Sequence, residues 1–107
     1  MPRGIMVVQS APADPAREDE FNDWYDTRHL PEICAVPGFT AARRYKVHGG
    51  PDGASTTYLA IYEIEADDLT APVREWRARS AAGQATRSES LRLDPPPVVT
   101  LYELIDG

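Results

Sequence analysis

Between Thr56 and Glu65 the chain reads TTYLAIYEIE, a run too short for a core helix and apolar in both of its alternating halves. Tyr58, Ala60, Tyr62 and Ile64 form one half, and Leu59 and Ile61 stand on the other. The final run, VVTLYELI from Val98 to Ile105, repeats the pattern, with Val98, Tyr102 and Leu104 set against Val99, Leu101 and Ile105. A sheet with one wet face alternates apolar with polar residues, so a sheet built from these strands needs a cover on both sides. That requirement limits the fold more than any other feature of the sequence.

The remaining elements follow from local signals. Gly4 to Ser10, GIMVVQS, suits a buried strand. Asp14-Pro15 predicts an N-cap followed by proline at the first helical position, opening a helix over roughly Pro15 to His29. Pro37-Gly38 marks a turn that releases a second strand, Phe39 to His48, in which Phe39, Ala41, Arg43, Tyr45 and Val47 alternate with Thr40, Ala42, Arg44, Lys46 and His48. GGPDGAS closes that strand in a turn before Thr56. Asp67 to Ser80 returns to helical spacing, with Leu69, Val73 and Trp76 on one side and a cap at Asp67, Asp68 or Thr70. Ala81 to Pro97 reads as a loop with one helical turn near Ser88 to Leu91.

The resulting order, strand, helix, strand, strand, helix, strand, predicts an α+β fold of the ferredoxin-like split βαβ kind with an antiparallel sheet. At 107 residues the chain is expected to form one domain over residues 1–107. Both helices would lie on one sheet face. With no helix left for the other, the expected cover is the same face of a second copy, in an isologous homodimer.

The candidate chemistry lies between Phe21 and Tyr45, FNDWYDTRHLPEICAVPGFTAARRY. Helical spacing places Phe21, Trp24, Tyr25, Arg28 and Glu32 on one stripe, with His29 at its edge. Pro31 disfavours the α conformation at Leu30, so the helix is expected to stop near His29. An imidazole at a helix C-terminus, near Asp26 and Glu32, is favoured as imidazolium, whereas burial against Trp24 favours the neutral ring. With the two effects opposed, His29 is expected to titrate near neutral pH and to serve as general acid or base.

Composition removes several alternatives. A net charge of -6 with scattered basic residues argues against nucleic acid or an anionic membrane as partner. The lone Cys34 has no intrachain disulfide partner, and with no signal-like or long apolar segment the chain is expected to be soluble and cytoplasmic. His29, His48 and Cys34 lack compact metal-ligand spacing, so no metal is expected. No nucleophile elbow, phosphate-cradling loop or dinucleotide fingerprint occurs, and no cofactor is expected. An Asn22, Trp24 and His29 set for haem fails because Asn22 and Trp24 are about 200° apart on a helix with ~100° per residue.

The segment FNDWYDTRHLPEICAVPGFTAARRY resembles the central motif of EthD-like proteins of the dimeric α+β barrel superfamily: an aromatic-rich first helix ending in a His-containing segment, then a Pro-Gly turn and a strand with Arg and Tyr. VVTLYELI is similar to that family's last strand. The superfamily includes cofactor-free isomerases, polyketide cyclases, quinone-forming monooxygenases, haem-degrading enzymes and accessory proteins. The resemblance implies a catalytic His29 assisted by Tyr45, and a pocket between helices and sheet walled by Phe21, Trp24, Tyr25, Phe39 and Tyr45. The expected activity is cofactor-independent proton transfer on a small hydrophobic or aromatic carbonyl compound, of isomerase, cyclase or lyase type. In it, His29 moves the proton and Tyr45 or Arg43 stabilises the enolate. Alternatives are a non-catalytic ligand-binding or accessory dimer and a cofactor-free monooxygenase.

Overall fold

A computed structural model describes residues 2–48, 58–94 and 96–105. The GGPDGAS turn and the first two residues of the strand predicted from Thr56 lie outside them. The elements run β1 (Arg3–Ser10), a 3-10 turn (Pro15–Arg17), α1 (Glu18–Trp24), a π-helical turn (Tyr25–His29), α2 (Leu30–Cys34), β2 (Phe39–Lys46), β3 (Tyr58–Glu65), α3 (Thr70–Ala81) and β4 (Val98–Glu103). The sheet order is β2-β3-β1-β4, with every neighbouring pair antiparallel. β3 therefore splits the β1-helix-β2 unit, which is the ferredoxin-like arrangement.

The predicted start signals act as expected. Asp14 accepts the Ala16 N–H at 2.8 Å, with Pro15 opening the first turn. Of the three cap candidates for α3, Asp68 supplies the oxygen, accepting from Thr70 N at 2.9 Å and from its hydroxyl at 2.7 Å. Gly38 has φ +104°, a conformation that L side chains rarely adopt, and a Cβ there would strike the ring of Pro72. The Gly38 carbonyl accepts from Glu65 N at 2.9 Å, so the turn is tied to the end of β3.

The core lies between the helices and one sheet face. Tyr58, Ala60, Tyr62 and Ile64 of β3, with Met6 and Val8 of β1, meet Phe21, Trp24, Tyr25, Ile33, Val36, Leu69 and Val73. The opposite face carries Ile5, Val7, Leu59 and Ile61, all half-buried. Tyr45 at 48%, Val98 at 49% and Tyr102 at 53% remain exposed among the described residues. β4 adds none of the buried core residues, because the helices do not reach over that edge of the sheet.

Candidate functional site

The helix does not stop at His29. Pro31 has no N–H to donate, and its ring conflicts with the carbonyl four residues back. The chain accommodates it by widening the preceding turn, so Leu30 N donates to Tyr25 O, five residues back. Helical geometry then resumes to Cys34, with Ala35 N donating to Pro31 O at 3.0 Å. His29 therefore sits inside a continuous helical segment rather than at a C-terminus. The wide turn also changes which residues face inward. Phe21, Tyr25, His29 and Ile33 follow one another at intervals of four, whereas Arg28, expected on the inner stripe, is exposed. An α-helix drifts about 40° per four residues at ~100° each, and the extra residue in the turn cancels that drift.

His29 is enclosed by rings. It stacks on Trp24 with centroids 4.5 Å apart, and meets the edges of Tyr25 at 4.9 Å and Trp76 at 5.5 Å. Burial pulls its pKa down to about 4. The Glu32 carboxylate opposes that fall, and the Arg44 guanidinium adds to it. The expected balance near neutral pH is thus overturned: burial dominates, and the imidazole is neutral at pH 7. Its Nδ1 is buried without a hydrogen-bond partner.

A strap from the loop after α3 crosses beside this ring. Trp24 Nε1 donates to Thr86 O at 3.3 Å. Glu32 Oε2 accepts from Thr86 N at 2.8 Å and from its hydroxyl at 3.0 Å. Further along, Arg17 donates to Glu89 O at 3.2 Å, and Ser90, fully buried, returns its carbonyl to Ala13 N. Ser88 to Leu91, expected as one helical turn, forms a hydrogen-bonded turn outside any helix, with Leu91 N donating to Ser88 O.

Strand β2 departs from its predicted alternation. An irregularity between Phe39 and Ala41 shifts the register, after which Ala42 pairs with Tyr62, Arg44 with Ala60 and Lys46 with Tyr58. Paired residues share a face, so Arg44 joins the helix side together with Phe39. Arg43 and Tyr45, paired with Ile61 and Leu59, fall on the opposite side of the sheet from His29. Neither is brought to the imidazole. Tyr45 is likewise absent from the aromatic wall, whereas Phe21, Trp24 and Tyr25 are in it and Phe39 packs on Tyr62 at 6.1 Å.

Arg44 occupies the place expected of Arg43. Its guanidinium lies 4.4 Å from the Tyr25 ring centre and 5.2 Å from that of Tyr58. It donates to Asn22 Oδ1 at 2.8 Å and Asp26 Oδ1 at 3.1 Å, and its side chain is only 12% exposed. Beneath it, burial raises the phenol pKa values of Tyr25 and Tyr62, so both are protonated at neutral pH. Tyr25 shares a hydrogen bond with Ser10 at 3.3 Å, while the Tyr62 hydroxyl is buried without a partner. Asn22 faces Arg44 and Tyr58, whereas Trp24 faces Thr86, so the two diverge as their helical separation requires. The sequence points to Glu32 beside His29 and to Trp76 on the apolar side of α3, but it gives no sign of Arg44 or Thr86 as site residues. The signal that the sequence offered was that Trp24 and Trp76 are the chain's two tryptophans.

Two clefts open elsewhere. One of about 630 Å³ lies at the end of the sheet, between Arg3, Ile5, Glu63, Tyr102 and Leu104. The other, of about 400 Å³, lies beside Asp68 and Leu101. Neither includes His29. Among the described residues, no group of three or more His, Cys, Asp or Glu is placed to hold a metal ion, and no helix is long and apolar enough to cross a membrane.

Residues 10–82, which carry the first helical segment with its wide turn, β2, β3 and all of α3, match the profile of a domain of unknown function, DUF4286. The chain belongs to the DUF4286 family. A search of curated protein sequences returns no significant match. Among solved structures, an EthD family protein of Bacillus halodurans is similar over 98% of this chain and 100% of its own, with TM-score 0.60 and 13% identity. A dimeric ferredoxin-like protein of unknown function from Thermobifida fusca covers 96% of this chain and 92% of its own, at TM-score 0.54 and 12% identity. A monooxygenase of Streptomyces coelicolor, solved with nanaomycin D, covers 99% of this chain and 89% of its own, at TM-score 0.53 and 17% identity. This DUF4286 chain thus shares the ferredoxin-like α+β fold of these proteins.

Proposed function

We propose that this DUF4286 protein is a small-molecule enzyme that moves a proton without a cofactor, on a hydrophobic carbonyl compound. The observation that carries this reading is the neutral, largely buried imidazole of His29, boxed by Trp24, Tyr25 and Trp76. A neutral imidazole in a low-dielectric site is a base. It would take a proton from the carbon next to a carbonyl, giving imidazolium and enolate, and return that proton to another atom of the same molecule. Arg44, rather than Arg43 or Tyr45, is the cation on the correct side of the sheet to offset the enolate's charge. The aromatic walls suit an aromatic or polyketide-like substrate, and the Streptomyces coelicolor monooxygenase of similar fold was solved with a small molecule, nanaomycin D. We place the protein in the cytoplasm, on the unpaired thiol of Cys34.

Both tryptophans flank His29, so their fluorescence reports occupancy of the site. Aromatic carbonyl compounds that quench it are then followed by NMR in deuterium oxide for exchange at the carbon next to the carbonyl. The reading expects exchange that His29→Asn slows at least a hundredfold while affinity changes only a few-fold. Exchange unaffected by the substitution, or lost only in step with affinity, rejects a catalytic His29.

A second reading rests on a different observation, the exposed Tyr45, Val98 and Tyr102 on the face away from His29. That face suits a homodimer, and a ligand held at the 630 Å³ cleft beside it would make the protein a binding or accessory dimer without chemistry at His29.

A further inference from the structure

Two polar atoms of the helix are buried without partners, His29 Nδ1 and Glu32 Oε1, and they lie one turn apart in sequence. Their surroundings connect them. His29 stacks on Trp24, Trp24 donates to Thr86 O, and Thr86 donates twice to Glu32 Oε2. The Glu32 carboxylate is thereby held at one oxygen, and its second oxygen is left facing the dry interior. Of the two imidazole nitrogens, Nδ1 is the one both buried and unpaired. The charged and titratable groups around the ring are Glu32, Arg44 and the phenol of Tyr25.

We infer that Glu32 is the positioning residue of this site, holding neutral His29 as the Nδ1–H tautomer, so that the lone pair of Nε2 is the one that reacts. The reason is the chemistry of the two unpaired atoms. A carboxylate oxygen only accepts hydrogen bonds, and a neutral imidazole must donate from one nitrogen and accept at the other. With the proton on Nδ1, a donor and an acceptor are buried one helical turn apart, and the carboxylate attracts the N–H across a gap longer than a hydrogen bond. With the proton on Nε2, two unpaired acceptors would be buried within one turn of each other. Which nitrogen carries the proton is set by what the other atoms around the ring accept or donate, and here the Thr86 strap fixes that arrangement in advance. The opposing pull of Glu32 on the imidazole's acidity is the electrostatic counterpart of the same proximity.

The inference rests on the reading of His29 as the base, yet its test needs no substrate. His48→Gln leaves a single imidazole, and nitrogen-15 correlation spectra at pH 7 then separate the protonated ring nitrogen from the one with a lone pair. The wild-type site is expected to show Nδ1–H. In Glu32→Gln, the amide oxygen keeps the Thr86 hydrogen bonds, which need an acceptor, and the amide NH2 faces the ring, so the tautomer is expected to switch to Nε2–H. Nδ1–H persisting in a folded Glu32→Gln variant overturns the inference, and so does Nε2–H in the protein with Glu32 intact, which decides the matter even if the variant does not fold. The two readings fail separately. Exchange unaffected by His29→Asn removes the base but leaves the tautomer, whereas the wrong tautomer leaves His29 as a base acting through Nδ1.

Discussion

His29 links stability to pH in a direction that can be worked out. Its folded pKa of about 4 lies below the ordinary 6.5, so between those values the unfolded chain binds the proton that the folded chain refuses. Stability therefore rises with pH through that window. The contribution is complete above about 6.5 and is lost as pH falls to about 4. At ~1.4 kcal/mol per pH unit the full effect is roughly 3–4 kcal/mol, with about half of it falling between pH 7 and pH 5. Urea unfolding at pH 5 and pH 7 is expected to show this loss in the wild type and a much flatter response in His29→Phe, once the carboxylates' shared contribution is subtracted. An equal slope in both proteins would mean the ring is solvated. The same pKa predicts that turnover by the base stays level from pH 5 to 8, where an imidazole with its ordinary value would give an acid limb near 6.5.

The arginine doublet gives a second contrast at the same scale. Arg44 has three ring faces and two side-chain acceptors, while Arg43 is exposed on the other side of the sheet. Arg44→Ala is expected to cost roughly 2–3 kcal/mol, because it removes charge-assisted hydrogen bonds and cation–π attraction from a partly dry site. Arg43→Ala should cost less than about 0.5 kcal/mol in the isolated fold, as surface substitutions do. Chemical denaturation of the pair measures the difference, and equal costs would contradict the register assigned to β2.

At the scale of elements, the sequence displays whatever depends on local pattern. The strand frames of β1 and β3, the Asp14-Pro15 start, the Pro37-Gly38 turn and the six-element order all follow from periodicity and turn chemistry. Two local irregularities were not legible, and both decide the site. Between Phe39 and Tyr45 the only apolar residues are Ala41 and Ala42, one in each alternation frame, so no hydrophobic signal marks where the register slips. Pro31 was legible as a disturbance but not in its outcome. A proline can end a helix or be absorbed by a widened turn, and here Phe21, Tyr25, His29 and Ile33 bury along the second route. The tertiary packing of Ile33 and Val36 favours continuing the helix over stopping it. Gly38 tests how firmly the following turn is set. Gly38→Ala combines a positive φ with a clash on Pro72, and a loss of roughly 1–3 kcal/mol in thermal or urea unfolding is expected. A neutral effect would show that the β2 turn and the first residues of α3 can separate freely.

For the whole molecule, the open requirement is the cover of the second sheet face. Its central row runs Arg43, Ile61, Val7, Thr100, flanked by rows ending in Tyr102 and Val98. β4 is exposed on both sides, since Val99 and Leu101 on the helix side are also left open. A face on which Ile5, Val7, Leu59 and Ile61 form an apolar centre, with Arg43, Glu63, Gln9 and Thr100 around them and tyrosines at the rim, is what a second copy would bury in an isologous interface. Symmetry then makes a single substitution act twice, because residue and partner meet near the same axis. Val7→Asp puts one carboxylate per protomer into the middle row, and two unpaired charges into one dry interface. Light scattering at micromolar concentration is expected to give twice the chain mass for the wild type and the chain mass for Val7→Asp, with the helix-side site and its tryptophan fluorescence unchanged. A wild-type monomer at that concentration would leave the open face to some other cover and remove the dimer from the proposal.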